Sequence, residues 1–120
     1  MIALKTRDWA ERKKIPTWFQ ESTASTNTIA KEEPVSEEYA SLYLCEKQTA
    51  GRGRQQNIWL QSETSGQLFS SWVFNLAHAP QPILSALIGF GLFQALTKTW
   101  GDLFSLKAPN DIYLGDQKLA

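Results

Sequence analysis

Only one cysteine, Cys45, stands among the 120 residues, so no disulfide can form within the chain. No basic, apolar and small-residue order of the kind that makes a signal peptide opens it, and a cytoplasmic setting is the expectation. Charge of one sign is also missing: 12 Lys and Arg face 12 Asp and Glu. A neutral chain has no overall attraction for nucleic acid or an anionic membrane surface, so neither is expected as a partner. Long hydrophobic runs are absent too. The longest apolar stretch, from Ile83 to Leu96, is broken by Ser85, two glycines and Gln94, and falls short of the roughly 18 residues that span a bilayer. Neither a GxGxxG nor a Walker Gly-Lys-Ser/Thr is present, so the two commonest glycine-rich nucleotide loops are excluded.

What is present points to a folded domain. The hydrophobic fraction is 42%, with five Trp among the aromatics, far from the apolar-poor composition of disordered chains. The length suits one domain with one modest core. Charge is neutral overall but clustered. Lys5, Arg7, Arg12, Lys13 and Lys14 outweigh Asp8 and Glu11 at the start, Glu32, Glu33, Glu37 and Glu38 surround Pro34, and Lys47, Arg52 and Arg54 form a second basic group. From Gln55 to Thr97 the only charge is Glu63, and the core is expected there.

Short apolar runs bounded by turn residues predict strands at Thr17 to Glu21, Tyr39 to Glu46, Gln67 to Asn75, Leu103 to Lys107 and Ile112 to Leu114. Cys45 closes the run Ser41-Leu42-Tyr43-Leu44-Cys45 and reads as a small buried hydrophobe. Apolar residues at three- and four-residue spacing predict a helix from Pro82 to Trp100, stopped by Gly101. Gly89 and Gly91 inside it each cost helix propensity and read as close-packing points against a sheet. A shorter helix is expected from Ser25 or Thr26, whose hydroxyl can cap the first turn, to Glu33 before Pro34. Residues 112–120 read as a strand, a tight turn and the first residues of a returning strand. The order of elements fits an α+β fold with a mixed, largely antiparallel sheet packed against helices.

Three segments carry chemical signals. Gly51-Arg52-Gly53-Arg54 places two guanidinium groups on a backbone with little steric cover, which suits a polyanion and equally suits a flexible basic loop. Ser22-Thr23-Ala24-Ser25-Thr26-Asn27 is a polar helix cap or a set of hydroxyls for the polar end of a small ligand. In Leu106-Lys107-Ala108-Pro109-Asn110-Asp111, a turn signal follows a lysine that belongs either to the surface or to a site.

Taken together and in this order, the STN segment, GRGR followed by Trp59, and KxPNDxYLxxxKLA resemble the catalytic domain of biotin protein ligases, from about Phe19 to Ala120. The resemblance implies a class II synthetase-like biotin/lipoate ligase fold. The implied reaction is ATP-dependent adenylation of biotin and its transfer to a lysine of a biotin carboxyl carrier protein. By the same resemblance Ser25 and Thr26 would hydrogen-bond the ureido end of biotin, Gln48 and Gly51 would line that pocket, and Trp59 would close the hydrophobic side of the site. Arg52, Gly53, Arg54 and Asn110 would face the adenylate and its phosphates, and Lys107 would contact both biotin and the reacting carboxylate and phosphate. Arg52, Arg54 and Lys107 are thus the expected catalytic cations, because joining a carboxylate to a phosphate brings two anions together. Mg2+ is expected to accompany ATP, with no ligands assigned to it, and no tightly bound cofactor is implied.

The sequence departs from the family pattern at Ala108, where a Trp is usual, and at Gln55 and Gln56, which follow GRGR where Arg-Gly is common. No winged-helix segment is recognised, so repressor activity is not expected, and residues 1–120 read as the N-terminal portion of a catalytic domain without its C-terminal domain, expected on their own to bind biotin weakly at most and to turn over little. A homodimer is left open. Two other readings stand beside the ligase: a lipoate or octanoate ligase, and a non-catalytic biotin-binding or interaction remnant.

Overall fold

The run Ser41-Leu42-Tyr43-Leu44-Cys45 is the middle of a three-stranded sheet and is buried throughout. The computed structural model describes residues 2–34, 36–53 and 66–120, and the chain divides into two compact units, Met1–Leu76 and Ala77–Ala120. In the first unit, helix α1 (Ile2–Arg12) precedes strand β1 (Thr17–Thr23), helix α2 (Thr26–Glu32), strand β2 (Ala40–Gln48) and strand β3 (Phe69–Phe74). The sheet order is β1-β2-β3, with β1 parallel and β3 antiparallel to β2.

Side chains alternate between the faces of a strand, so five consecutive buried residues in β2 require cover on both sides. On one face α1 buries Ala3 and Ala10 against Leu42 and Leu44, with Ile15 and Phe19 at the margin. The Arg7 guanidinium lies 5.2 Å from the centre of the Phe19 ring, and Trp9 meets Trp72 edge-on at 6.5 Å. On the other face Tyr43 donates its hydroxyl to the Glu33 carbonyl at the end of α2 at 2.8 Å. Cys45 is fully buried as expected. Burial pushes its thiol up from 9.0 to about 11, an effect reduced by a backbone hydrogen bond from Lys47 and reinforced by the charge of Glu46.

The second unit holds helix α3 (Leu84–Trp100) and an antiparallel sheet of β4 (Phe104–Lys107), β5 (Asp111–Leu114) and β6 (Gln117–Lys118). Gly115, at φ 59°, makes the tight turn between β5 and β6, and the returning strand does form. Gly101, at φ 83°, ends α3, and its N–H bonds the Thr97 carbonyl at 2.8 Å. The α+β reading with a mixed, largely antiparallel pairing therefore stands.

Several expectations are corrected. The helix α3 starts at Leu84 rather than Pro82, which lies in the preceding turn. No helix is expected near the start, yet residues 2–12 form one, because its packing stripe is made of Ala3 and Ala10 rather than large apolar residues. The described part of the charge-poor stretch, residues 66–97, does not hold the core. Of that stretch, residues 55–65 lie outside the described residues, β3 is half-buried, and α3 buries only Gly89. Among the described residues the fully buried large side chains are instead Leu42, Tyr43, Leu44 and Ile112, because β2 and β5 are the central strands of their sheets. The two glycines of α3 also separate. A Cβ at Gly89 would lie 2.7 Å from the Asn110 Cα, so this glycine packs on the turn between β4 and β5. At Gly91 an added Cβ meets nothing within 4 Å among the described residues.

Candidate functional site

The polar site of the first unit is assembled where parallel β1 and β2 end together. Thr23 pairs with Gln48, and the register continues into the loops. The Thr49 N–H bonds the Thr23 carbonyl at 2.9 Å and the Ala50 N–H bonds the Ala24 carbonyl at 2.8 Å. This extension brings Gln48 beside the start of α2, 22 residues away in the chain.

A helix start leaves amides without partners, and Ser25 occupies the N-cap position with extended backbone, φ −162° and ψ 132°. Its hydroxyl makes no capping bond, contrary to expectation. Gln48 takes that place: its Oε1 accepts from the Thr26 N–H at 2.8 Å and from the Thr26 hydroxyl at 3.2 Å. An N–H can only donate, so the carbonyl oxygen of the Gln48 amide must face Thr26 and its Nε2 must point elsewhere. Thr26 Oγ1 also lies 2.9 Å from Ser71 Oγ on β3. Ser25 and Thr26 are buried, at 8% and 3% exposure, which makes this a sheltered row of hydroxyl and amide groups. Ser71 is the member that sequence reasoning missed. Its one signal is that two serines, Ser70 and Ser71, interrupt an otherwise apolar and aromatic strand.

The glycine-arginine segment follows directly. Gly51 is buried, Arg52 is exposed and Gly53 is half-buried, while Arg54 and Trp59 lie outside the described residues. The structure thus brings Ser25, Thr26 and Gln48 together, three residues before Gly51 begins the basic loop.

Lys107 and Asn110 belong to the second unit. Lys107 ends β4 opposite Asp111 of β5, is exposed, and holds its Nζ 6.0 Å from the centre of the Tyr113 ring. Asp111 itself is bound by Lys118 at 2.9 Å. Asn110 is half-buried beneath Gly89. Ala108 lines an apolar groove of about 440 Å³ together with Leu87, Phe90 and Leu106. Among the described residues no cluster of three or more His, Cys, Asp or Glu is placed to hold a metal ion, and no helix is long and apolar enough to cross a membrane.

Fold and site define an α+β chain in which two parallel strands end at a buried cluster of hydroxyl and amide groups. The chain matches the biotin/lipoate A/B protein ligase family over residues 19–120, and it belongs to that family. It is 38% identical over 79 residues to the bifunctional ligase/repressor BirA of Escherichia coli (strain K12), covering 64% of this chain and 24% of that relative. Among solved structures it resembles the biotin protein ligase of Aquifex aeolicus in complex with biotin and ATP, with a TM-score of 0.69, 31% identity, and coverage of 85% of this chain and 43% of that one. The biotin acetyl coenzyme A carboxylase synthetase of Helicobacter pylori with bound biotinylated ATP gives a TM-score of 0.66 and 30% identity, with 87% and 51% covered. The chain spans about a quarter of the curated relative and about half of the solved chains. Helix α1 lies ahead of the residues that match the family.

Proposed function

We propose that this chain contributes the biotin-binding and adenylate-binding part of a biotin protein ligase, which adenylates biotin with ATP and passes it to a lysine of a carrier protein. The observation that carries this reading is the cluster of Ser25, Thr26 and Gln48, where the Gln48 carbonyl is locked onto Thr26 and its Nε2 is left to donate to a ligand. A cyclic urea offers one carbonyl between two N–H groups. The donors of Gln48 Nε2 and Ser25 and the lone pairs of Thr26 match both kinds of group. The dithiolane of lipoate offers neither, which favours biotin over lipoate.

The remaining roles follow from charge. Two anions must meet when the biotin carboxylate attacks the α-phosphate of ATP, and Arg52, Arg54 and Lys107 are the cations that would stabilise that approach. Gly51 and Gly53 let the backbone come close to the adenylate, Trp59 would close the apolar side, and Asn110 would contact the nucleotide. Mg2+ would arrive on the phosphate oxygens of ATP and shield their charge there. The solved relatives with biotin, ATP or biotinylated ATP support these substrates. Two measurements test the reading: calorimetric titration with biotin and with lipoate, and pyrophosphate release that requires biotin and ATP together. Binding of biotin but not lipoate is expected. Preference for lipoate, or pyrophosphate release unchanged in Lys107→Ala, refutes it.

A further inference from the structure

The hydroxyl of Ser71 extends the site onto a third element. Ser71 pairs with Tyr43 across the antiparallel β2 and β3, and paired residues share a face, here the one on which α2 packs. That alignment sets Ser71 Oγ 2.9 Å from Thr26 Oγ1, which in turn lies 3.2 Å from Gln48 Oε1.

The direction of this chain of bonds is determined. Gln48 Oε1 can only accept, so the single proton of the Thr26 hydroxyl must point to it; otherwise two oxygen lone-pair regions would face each other at 3.2 Å. With the Thr26 proton committed, the proton in the bond between Thr26 and Ser71 has to come from Ser71. The order is therefore Ser71 to Thr26 to Gln48, each link polarising the next. Three rotatable groups are held in one arrangement, and the hydroxyl protons of Thr26 and Ser71 are both used inside the protein. The lone pairs of Thr26 and Ser71 then face a ligand as acceptors, while Gln48 Nε2 supplies donors.

We infer that Ser71 is a positioning residue for the ureido end of the ligand: it fixes the Thr26 hydroxyl so that this part of the site accepts N–H groups. The inference rests on the biotin reading above. Ser71 acts through Thr26, and its contribution is orientation paid before the ligand arrives.

The test is a calorimetric titration of the full chain with biotin, in the wild type, Ser71→Ala, Ser71→Thr, Thr26→Val and the double variant Ser71→Ala with Thr26→Val. Loss of one hydrogen bond predicts biotin binding about five- to tenfold weaker in Ser71→Ala. Ser71→Thr keeps the hydroxyl on a residue suited to a strand and restores affinity to within about twofold. Because Ser71 works through Thr26, the double variant binds no more weakly than Thr26→Val alone. Thermal melts of the same proteins separate this from a folding defect, since Ser71→Thr must recover affinity and not only stability. Wild-type affinity in Ser71→Ala, or losses that add in the double variant, overturns the positioning role while leaving the biotin reading intact. A wild type that does not bind biotin overturns both.

Discussion

Replacing Gly89 by Ala tests the packing of the second unit at its tightest point. An added Cβ would stand 2.7 Å from Asn110 Cα, 2.8 Å from Asn110 Cβ and 3.3 Å from the Pro109 carbonyl. Carbon atoms pack comfortably at about 3.5–4.0 Å, so α3 or the turn must move by about 1 Å, and the obstacle is backbone that no rotamer change can clear. Such overpacking costs about 1–3 kcal/mol, and in a buried position against backbone the upper part of that range applies. Alanine favours the helix over glycine by about 1 kcal/mol, which offsets part of the cost and leaves a net loss of about 1–2 kcal/mol. Gly91→Ala is the control, since it carries the same propensity gain and its Cβ meets nothing within 4 Å among the described residues. Urea titration followed by tryptophan fluorescence, with Trp100 at the end of α3 as a reporter, reads both. With a slope of about 2 kcal/mol/M, the midpoint falls by about 0.5–1 M in Gly89→Ala and rises in Gly91→Ala. A midpoint in Gly89→Ala at or above that of Gly91→Ala would refute the close approach.

Gln48 has two duties that one pair of variants separates. Gln48→Ala leaves the buried Thr26 N–H and hydroxyl without their acceptor and lowers stability by about 1–3 kcal/mol in a denaturant titration, and biotin binding is lost with it. Gln48→Glu keeps an acceptor for Thr26 but has no Nε2, so stability is largely retained while calorimetry shows biotin affinity lost; full affinity would show that Nε2 does not serve the ligand. Cys45 predicts an alkaline limit. Its folded value of about 11 lies above the ordinary 9.0, so the neutral thiol's contribution is complete below pH 9 and is lost as pH rises toward 11, amounting to about 2–3 kcal/mol. Urea midpoints measured from pH 8 to 11 should slope downward, and the slope should flatten in Cys45→Ala. At pH 8 the native thiol should react with a disulfide reagent far more slowly than the unfolded one, and equal rates would contradict its burial.

The regular elements were largely legible along the chain. Short apolar runs bounded by turn residues marked β1 to β5, and three- and four-residue spacing marked α3, because these patterns are local properties of strands and helices. Helix α1 escaped since a stripe of two alanines, Ala3 and Ala10, carries little hydrophobic signal even though it packs against Leu42 and Leu44. The charge-poor stretch was misleading for a related reason. Low charge says that a segment can be buried, whereas actual burial depends on how many layers cover it, and β2 has a helix on each face.

The candidate site divides in the same way. The residue types of the STN segment, the Gly-Arg loop and the lysine before Pro109 are chemical facts of the sequence, and they sufficed to place residues 19–120 in a ligase family. Which groups meet was decided only by the fold. The parallel register of β1 and β2 makes Gln48, and not the nearby Ser25 hydroxyl, the cap of α2. The antiparallel register of β2 and β3 adds Ser71, 45 residues from Thr26. Gly89 and Gly91 give the same signal two positions apart, yet a helix turns about 200° between them, and one faces backbone while the other faces open space. Local periodicity is written in neighbouring residues; hydrogen-bond partners across strands and the clearance above a glycine exist only once distant segments have come together.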